Sequence, residues 1–338
     1  MLARLWMLSP SKMKKFKFTP LTRFLAAFLV TLIVVGGGAW GAYAYLFSGL
    51  DREESLTQEE TGIEEQEYHY DHITNIALFG IDTTDSSMVG RSDSIVVVSI
   101  DEKRKEIRLS AIQRDTYVEI EGHGKTKLNH AYSYGGPALA VKTLNQTFGL
   151  NIEDYAVINF TNMEKLIDAL DGIELEVSNA YMEEANKHIG HLAWERGIKA
   201  KLIKKTGKQN LSGMQVLGMV RARDNVGGTE ARSAMHEVVL TACYEKLKKK
   251  SALEYPAIAK ELMGLVKTTL SSNEVTSMAT KVLLSNYELR KEVFPLAVDQ
   301  EGGYGGKIIK GVWYLTYNEE PGQQHLRDFV YDGKLYGE

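Results

Sequence analysis

Three short stretches of this 338-residue chain set carboxylates and guanidinium groups beside apolar runs. Asp82 follows NIALFG, Arg91-Ser-Asp93 comes immediately before SIVVVSI, and Arg114-Asp115 comes just after IRLSAI. Further on, Arg221 and Arg223 flank one residue in MVRARD. Guanidinium groups grip phosphate oxygens two at a time. A pair of carboxylates suits Mg2+, which takes oxygen ligands and bridges them to phosphates. Together such groups would neutralise the charge that develops as a phosphoryl group is transferred. A strand-end salt bridge is the plainer account of any one of these residues. Convergence of the whole set on one edge would point instead to a site for a polyanion and a divalent metal. The loop LNHAYSYGG adds His130, which is either a base or a hydrogen-bonded structural histidine. Lys127 beside it is either an anion contact or a solvated charge. No CxxC, HExxH, GxSxG or Walker loop occurs, so zinc proteolysis, serine-hydrolase and P-loop chemistry are not expected.

The elements that would position these residues are legible around them. ITNIALFG predicts a strand over 73–80 that delivers Asp82. SIVVVSI, 94–100, is a nearly continuous β-branched run and predicts a strand buried on both faces. DEKRKE predicts a charged turn and IRLSAI, 107–112, the hairpin partner. A hairpin over 94–112 puts Arg91–Asp93 and Arg114–Asp115 at the same end of a sheet. Helical spacing follows over 137–148, then a short strand over 155–160. A Thr161–Glu164 capping box should open a helix to Leu170. IELEV alternates as a strand, whereas 180–210 reads as polar and irregular. Ser212–Gln215 is a second capping box, 229–249 a helix, and 255–270 and 273–284 two more. A Gly-rich stretch, 302–311, precedes the aromatic strand VWYLTY. Strands interleaved with helices predict an α/β sandwich on a mixed central β-sheet.

Upstream, residues 24–46 carry no charge and are long enough to cross a hydrocarbon core of ~30 Å. A cleaved signal peptide or a buried core helix are the alternatives; the run exceeds a typical signal h-region. Residues 1–23 carry Arg4, Lys12, Lys14, Lys15, Lys17 and Arg23 and no acid, which predicts a cytoplasmic tail. Trp40, Tyr43 and Tyr45 suit the headgroup layer at the other end. Asp51, Glu53, Glu54, Glu59, Glu60, Glu64, Glu65 and Glu67 face only Arg52 over 47–70, which reads as a flexible acidic stalk. The expected layout is thus a tail (1–23), a transmembrane helix (24–46), a stalk (47–70), a catalytic domain (71–250) and an extension (251–338) packed on it. The net charge of −4 argues against a nucleic-acid partner. With Cys243 alone, no internal disulfide is available to the outer domain.

IALFGID, RSDS, AIQRDTYVEI, KLNHAYSYGG, INFTNMEKLIDALDGIELEV and LSGMQVLGMVRAR stand in the order in which the LytR–CpsA–Psr family has them. The chain resembles that family over about 72–250 and in its N-terminal topology. The resemblance implies an αβα sandwich with a long apolar pocket for a polyprenyl chain. It implies a bacterial, Gram-positive membrane protein that moves a glycopolymer, such as teichoic acid or capsular polysaccharide, from undecaprenyl pyrophosphate to peptidoglycan. It puts Mg2+ on Asp82 and Asp93, and pyrophosphate on Arg91, Arg114, Arg221 and Arg223. Asp82, Arg91, Asp93 and Arg114 become the expected catalytic set, with Asp82 or Asp115 as base for the acceptor hydroxyl. Ala111 and Gln113 replace a usual serine and proline. Farther on, Thr229, Ala231, Arg232, Met235 and His236 align with an acid, a glycine, an arginine and an Arg-Gln pair. Arg232 is kept as a pyrophosphate contact, whereas the acid and the pair are lost unless Glu230 or Glu237 substitutes. Two other functions stay open: a non-catalytic polyprenyl-phosphate or wall-polymer binding protein, and a pyrophosphate hydrolase.

Overall fold

The computed structural model describes residues 51–63, 70–83, 88–222, 226, 228–251, 254, 258, 261, 264–296 and 306–336. The expected tail and transmembrane helix, 1–46, lie outside these. Among the described residues no helix is long and apolar enough to cross a membrane. Gly49–Glu338 forms one compact unit.

A mixed seven-stranded sheet is the frame. Its strands are β1 (Asp51–Arg52), β2 (Ile73–Ile81), β3 (Ser92–Asp101), β4 (Glu106–Ile112), β7 (Asp154–Asn159), β10 (Lys267–Thr268) and β11 (Glu288–Phe294), in the order β1-β10-β7-β2-β3-β4-β11. The hairpin predicted over 94–112 forms, with Val97 opposite Ser110. As expected for a β-branched run, β3 is buried on both faces: Ile95 and Val97 enter one core, Val96 another. Three two-stranded ribbons flank the sheet: β5 (Tyr117–Ile120) with β6 (Gly124–Lys127), β8 (Ile173–Val177) with β9 (Gly207–Leu211), and β12 (Lys307–Ile309) with β13 (Val312–Tyr314).

Helices pack on both faces. They are α1 (Gln58–Thr61), α2 (Asn129–Phe148), α3 (Phe160–Ala169), α4 (Asn179–Glu195), α5 (Gly213–Arg221), α6 (Gly228–Lys248), α7 (Ser272–Leu284) and α8 (Glu319–Arg327). α2 and α8 join β2 and β3 in one core through Val141, Leu144, Phe148 and Leu326. α3 to α6 build a second core with β8 and β9. α2 starts earlier than the expected 137, but breaks at Gly135 and Gly136 before Pro137. Gly136 sits at φ 66, ψ −160, a region open in practice only to glycine. The Ser212 capping box opens α5 as predicted. Gly213 lets α5 reach α3, since a Cβ there would stand 2.1 Å from the Glu164 carbonyl oxygen.

Several expectations need correction. Asn159, not Thr161, caps α3, its Oδ1 accepting from the Asn162 N–H at 2.7 Å. The polar stretch 180–210 holds α4, with Ala185, Ile189 and Leu192 buried along one stripe. The helix expected over 255–270 gives way to β10 in its described final part. The acidic segment is not a free stalk over 51–63. Asp51–Arg52 pairs with β10, Thr57 and Glu60 form a capping box, and Leu56 packs on the core. The extension over 251–338 does more than pack on the domain, because β10 and β11 are strands of the central sheet.

One buried cluster ties the C-terminal segment to the sheet. Arg108 of β4 is fully buried and donates to Asp101 Oδ2 at 2.7 Å, to Glu106 Oε2 at 2.6 Å and to the Val330 carbonyl at 2.8 Å. Arg104 adds bonds to Asp101 and to the Tyr331 carbonyl, both at 3.1 Å. Burial pushes the Asp101 carboxyl up, but the Arg104 N–H and the two guanidinium groups outweigh it and hold it below the usual range.

Candidate pyrophosphate-binding site

The end of the sheet where β2 and β4 finish and β3 begins gathers the charged residues singled out from the sequence. β2 delivers Asp82, whose N–H donates to the Arg91 carbonyl at 3.4 Å, so the exit of β2 and the entry to β3 are held together. Arg91 is exposed, whereas Asp93, two residues on, is buried. Arg114, just past β4, donates through Nη1 to Asp93 Oδ1 at 2.5 Å and through Nε to Asp115 Oδ2 at 3.3 Å. The β5–β6 ribbon brings Lys127 back, and its Nζ donates to Asp115 Oδ1 at 2.7 Å. From the other side, α5 ends at Arg221. That guanidinium lies 4.7 Å from the Phe160 ring centroid and donates to Asp82 Oδ1 at 3.0 Å.

Lys127, Asp115, Arg114 and Asp93 thus form a run of alternating charges, and Arg221 with Asp82 a second pair at the same end of the sheet. Their side chains are graded in exposure, from 6% for Asp93 through 21% for Arg114 and 23% for Arg221 to 40% for Asp82. Both oxygens of Asp115 are engaged by Arg114 and Lys127, which suits it to hold those cations rather than to take a proton. His130 Nδ1 lies 2.9 Å from Thr126 Oγ1. Burial first, then the charges of Arg91 and Lys127, lower its pKa, so the imidazole is neutral near pH 7. This places both cations in the same field.

An apolar cavity of about 200 Å3 adjoins this edge. It lies between the sheet (Leu78, Val96, Val157) and helices α3, α5 and α6 (Leu166, Val220, Val239). Gly80, Ser94, Asn159 and Phe160 line its part nearest the charged residues, so the ring beneath Arg221 also bounds the cavity.

Arg223 lies outside the described residues. Arg232 is on α6, its side chain outside the description, as are those of Thr229, Glu230 and Ala231. His236 lines the cavity and Met235 is buried in the adjoining core. Glu237 does not stand in for the missing acid of that helix. It is buried, the charges it feels are Lys291 and Glu292, and burial pushes its carboxyl up to about 7. Phe160 and Trp313 were not singled out from the sequence. INFTN carried the first at a strand end, and VWYLTY the second; Lys127 Nζ lies 5.7 Å from the Trp313 ring centroid.

Metal chemistry fits the oxygen donors here. Among the described residues no group of three His, Cys, Asp or Glu could cage an ion. Mg2+, however, is commonly held by one or two carboxylates together with substrate phosphates; Asp82 follows β2, and Asp93 is on its neighbour β3. Ser92 Oγ, at the start of β3, and Asn129 Oδ1, at the start of α2, are buried without a hydrogen-bond partner among the described residues.

The chain is similar to several known proteins. It is 27% identical over 306 residues to the polyisoprenyl-teichoic acid–peptidoglycan teichoic acid transferase TagU of Oceanobacillus iheyensis, covering 86% of this chain and 88% of that protein. It is 32% identical over 260 residues to the regulatory protein MsrR of Staphylococcus aureus, covering 76% and 74%. Its fold matches the crystal structure of Bacillus subtilis TagT with a TM-score of 0.62, at 24% identity over 84% of this chain and 98% of that one. It also matches YwtF (TagT) with bound octaprenyl pyrophosphate lipid, with a TM-score of 0.58 at 23% identity, over 83% and 98%. The LytR_cpsA_psr family model matches residues 44–328. The chain belongs to the LytR–CpsA–Psr family.

Proposed function

We propose that this protein is a membrane-anchored phosphotransferase that moves a glycopolymer from an undecaprenyl-pyrophosphate carrier to peptidoglycan. The observation that carries the reading is the apolar cavity bounded by Phe160, with Arg221 stacked on the same ring. A lipid pyrophosphate has this division: an apolar tail beside a polyanionic head. The teichoic acid transferase relatives and the lipid-bound relative agree with it. Residues 24–46 would be the anchor, with 1–23 in the cytoplasm and the domain outside.

Arg91, Arg114 and Arg221 bind the pyrophosphate oxygens, with Arg223 and Arg232 as further contacts. Asp115, itself paired with Lys127, holds Arg114 in place. Asp82 and Asp93 would hold Mg2+, which when bound screens the pyrophosphate charge. The acceptor hydroxyl oxygen attacks the sugar-linked phosphorus. That P–O bond forms as the bond to the bridging oxygen breaks, and polyprenyl phosphate leaves with the electron pair. Asp82, the most exposed carboxylate of the set, accepts the hydroxyl proton. The walls of the cavity keep the tail out of water and hold the reacting phosphorus against the arginines.

The test is ligation in vitro with the full chain in detergent, Mg2+, a synthetic polyprenyl-pyrophosphate glycan and peptidoglycan oligomers. Mass spectrometry should find glycan joined to peptidoglycan by a phosphodiester, and Asp93→Ala should abolish it. Lipid binding without product, where a relative with known transferase activity succeeds on the same substrates, would establish a binding protein instead. Release of glycan phosphate to water alone would establish a hydrolase.

A further inference from the structure

The charged edge of the sheet is also the edge at which the polypeptide enters the domain. Asp51 pairs with Lys267, Lys267 with Val157, and Val157 with Phe79, which is three residues before Asp82. β1 then runs away from that edge. Asp51 comes five residues after Leu46, the last residue of the apolar run. A chain leaving a bilayer at that point arrives at the charged end of the sheet.

The same end carries the β12–β13 hairpin. Its two-residue turn has positive φ at both centres, 50° at Lys310 and 81° at Gly311, a tight connection that makes a narrow projecting tip. Large apolar side chains lie open on it. Ile308 is 74% exposed, Val312 44%, and Trp313, the cross-strand partner of Ile308, 37%. Lys307 and Lys310 are exposed beside them. The hairpin is fastened to the site: the Leu315 N–H donates to the Asp115 carbonyl at 2.9 Å and the Tyr117 N–H to the Leu315 carbonyl at 2.8 Å.

We propose that this hairpin is a membrane contact, dipping Ile308, Val312 and Trp313 into the headgroup layer of a bilayer that contains anionic phospholipid. Indole favours that layer, branched aliphatic side chains gain by leaving water, and lysines there meet anionic headgroups. The two lysines of the tip contrast with the chain's net charge of −4, so attraction to an anionic surface is local to this edge. The contact would hold the arginines at the depth where a lipid's pyrophosphate emerges. The inference rests on the lipid-linked substrate proposed above, and its test is independent of catalysis.

The test uses the full chain in vesicles of phosphatidylcholine and phosphatidylglycerol, with or without bromine on the acyl chains. Trp6, Trp40 and Trp194 are replaced by phenylalanine, so that Trp313 alone emits. Bromolipid should quench Trp313. The loss should shrink in phosphatidylcholine alone and in Ile308→Ser/Val312→Ser. A variant keeping only Trp194 should be unaffected, and one keeping only Trp40 should be quenched, reporting insertion of the anchor. Trp313 emission indifferent to bromine while Trp40 is quenched would overturn the proposal, as would equal quenching in Ile308→Ser/Val312→Ser. Emission that responds to a soluble oligosaccharide but not to bromine would overturn it in favour of a sugar platform. Ligation of a short, water-soluble prenyl-pyrophosphate glycan in detergent should be unchanged in Ile308→Ser/Val312→Ser. Failure of ligation in the wild-type chain would strike the phosphotransferase reading and leave the quenching result standing.

Discussion

The two ends of β3 and β4 carry two clusters of arginine and carboxylate built to different rules. At one end Arg108 is sealed from water, and its donors go to Asp101, Glu106 and a backbone carbonyl. At the other, Arg91, Arg114 and Arg221 keep part of their surface in solvent, and the carboxylates that pair with Arg114 and Arg221 run from buried to half open. The first cluster is closed and joins parts of the chain; the second has donors left to face an incoming anion. The difference teaches that residue type does not separate structural from functional arginines. What separates them is whether the surroundings already engage all three guanidinium nitrogens.

The contrast can be broken most forcefully at the sealed end. Arg108→Ala leaves Asp101 and Glu106 without their buried partner, and loss of one member of a buried pair costs roughly 3–5 kcal/mol. Urea titration should show that loss of stability, with any activity falling only as the folded fraction falls. Arg91→Ala should do the reverse. Removal of one donor from a charge-stabilising site costs about 100- to 1000-fold in kcat, while Tm should stay within about 2 °C, as for an exposed substitution. Arg91→Lys should not restore the rate, since an ammonium cannot make the two-pronged contact. A large drop in Tm for Arg91→Ala would remove the distinction between the ends.

Glu237 sharpens the comparison, being buried with Oε1 unpartnered among the described residues. Burial raises its pKa from 4.5 to about 7, so its contribution to stability is fully present below about pH 4.5 and is lost as pH rises through about 7. Glu237→Gln should therefore change little at pH 4.5 and stabilise at pH 8, by on the order of 3 kcal/mol. Equal denaturation midpoints for the two proteins at pH 8 would show that the carboxylate finds a charge partner after all.

The functional end was largely legible in the sequence, and the sealed end was not. Strong β-branched runs fixed where β3 and β4 begin and end, and a hairpin then forces Asp93 and Arg114 together. Arg108 sits in IRLSAI, where alternation permits either face, and its partner Val330 is 222 residues away. No local pattern encodes that pairing. α4 was missed because NAYMEEANKHIGHLAWE is dense in polar residues, although Ser178 and the spacing of Ala185, Ile189 and Leu192 mark a capped helix. Residues 51–63 were mistaken for stalk because their acids outweighed a capping box, Thr57 to Glu60, that was there to be read. Trp313 gave only an aromatic strand; its place beside Lys127 comes from the tertiary fold.

The sheet has a consequence for the order of events during synthesis. Its two edges come from β1 and β11, β10 adds a strand from residues 267–268, and Arg108 waits for a carbonyl at residue 330. The interior therefore cannot close on a growing chain; contacts this far apart in sequence form late and slowly. Residue 330 must be made before Arg108 finds its last acceptor. A product cut short before residue 330 would keep a buried cation incompletely matched, a built-in mark of incompleteness.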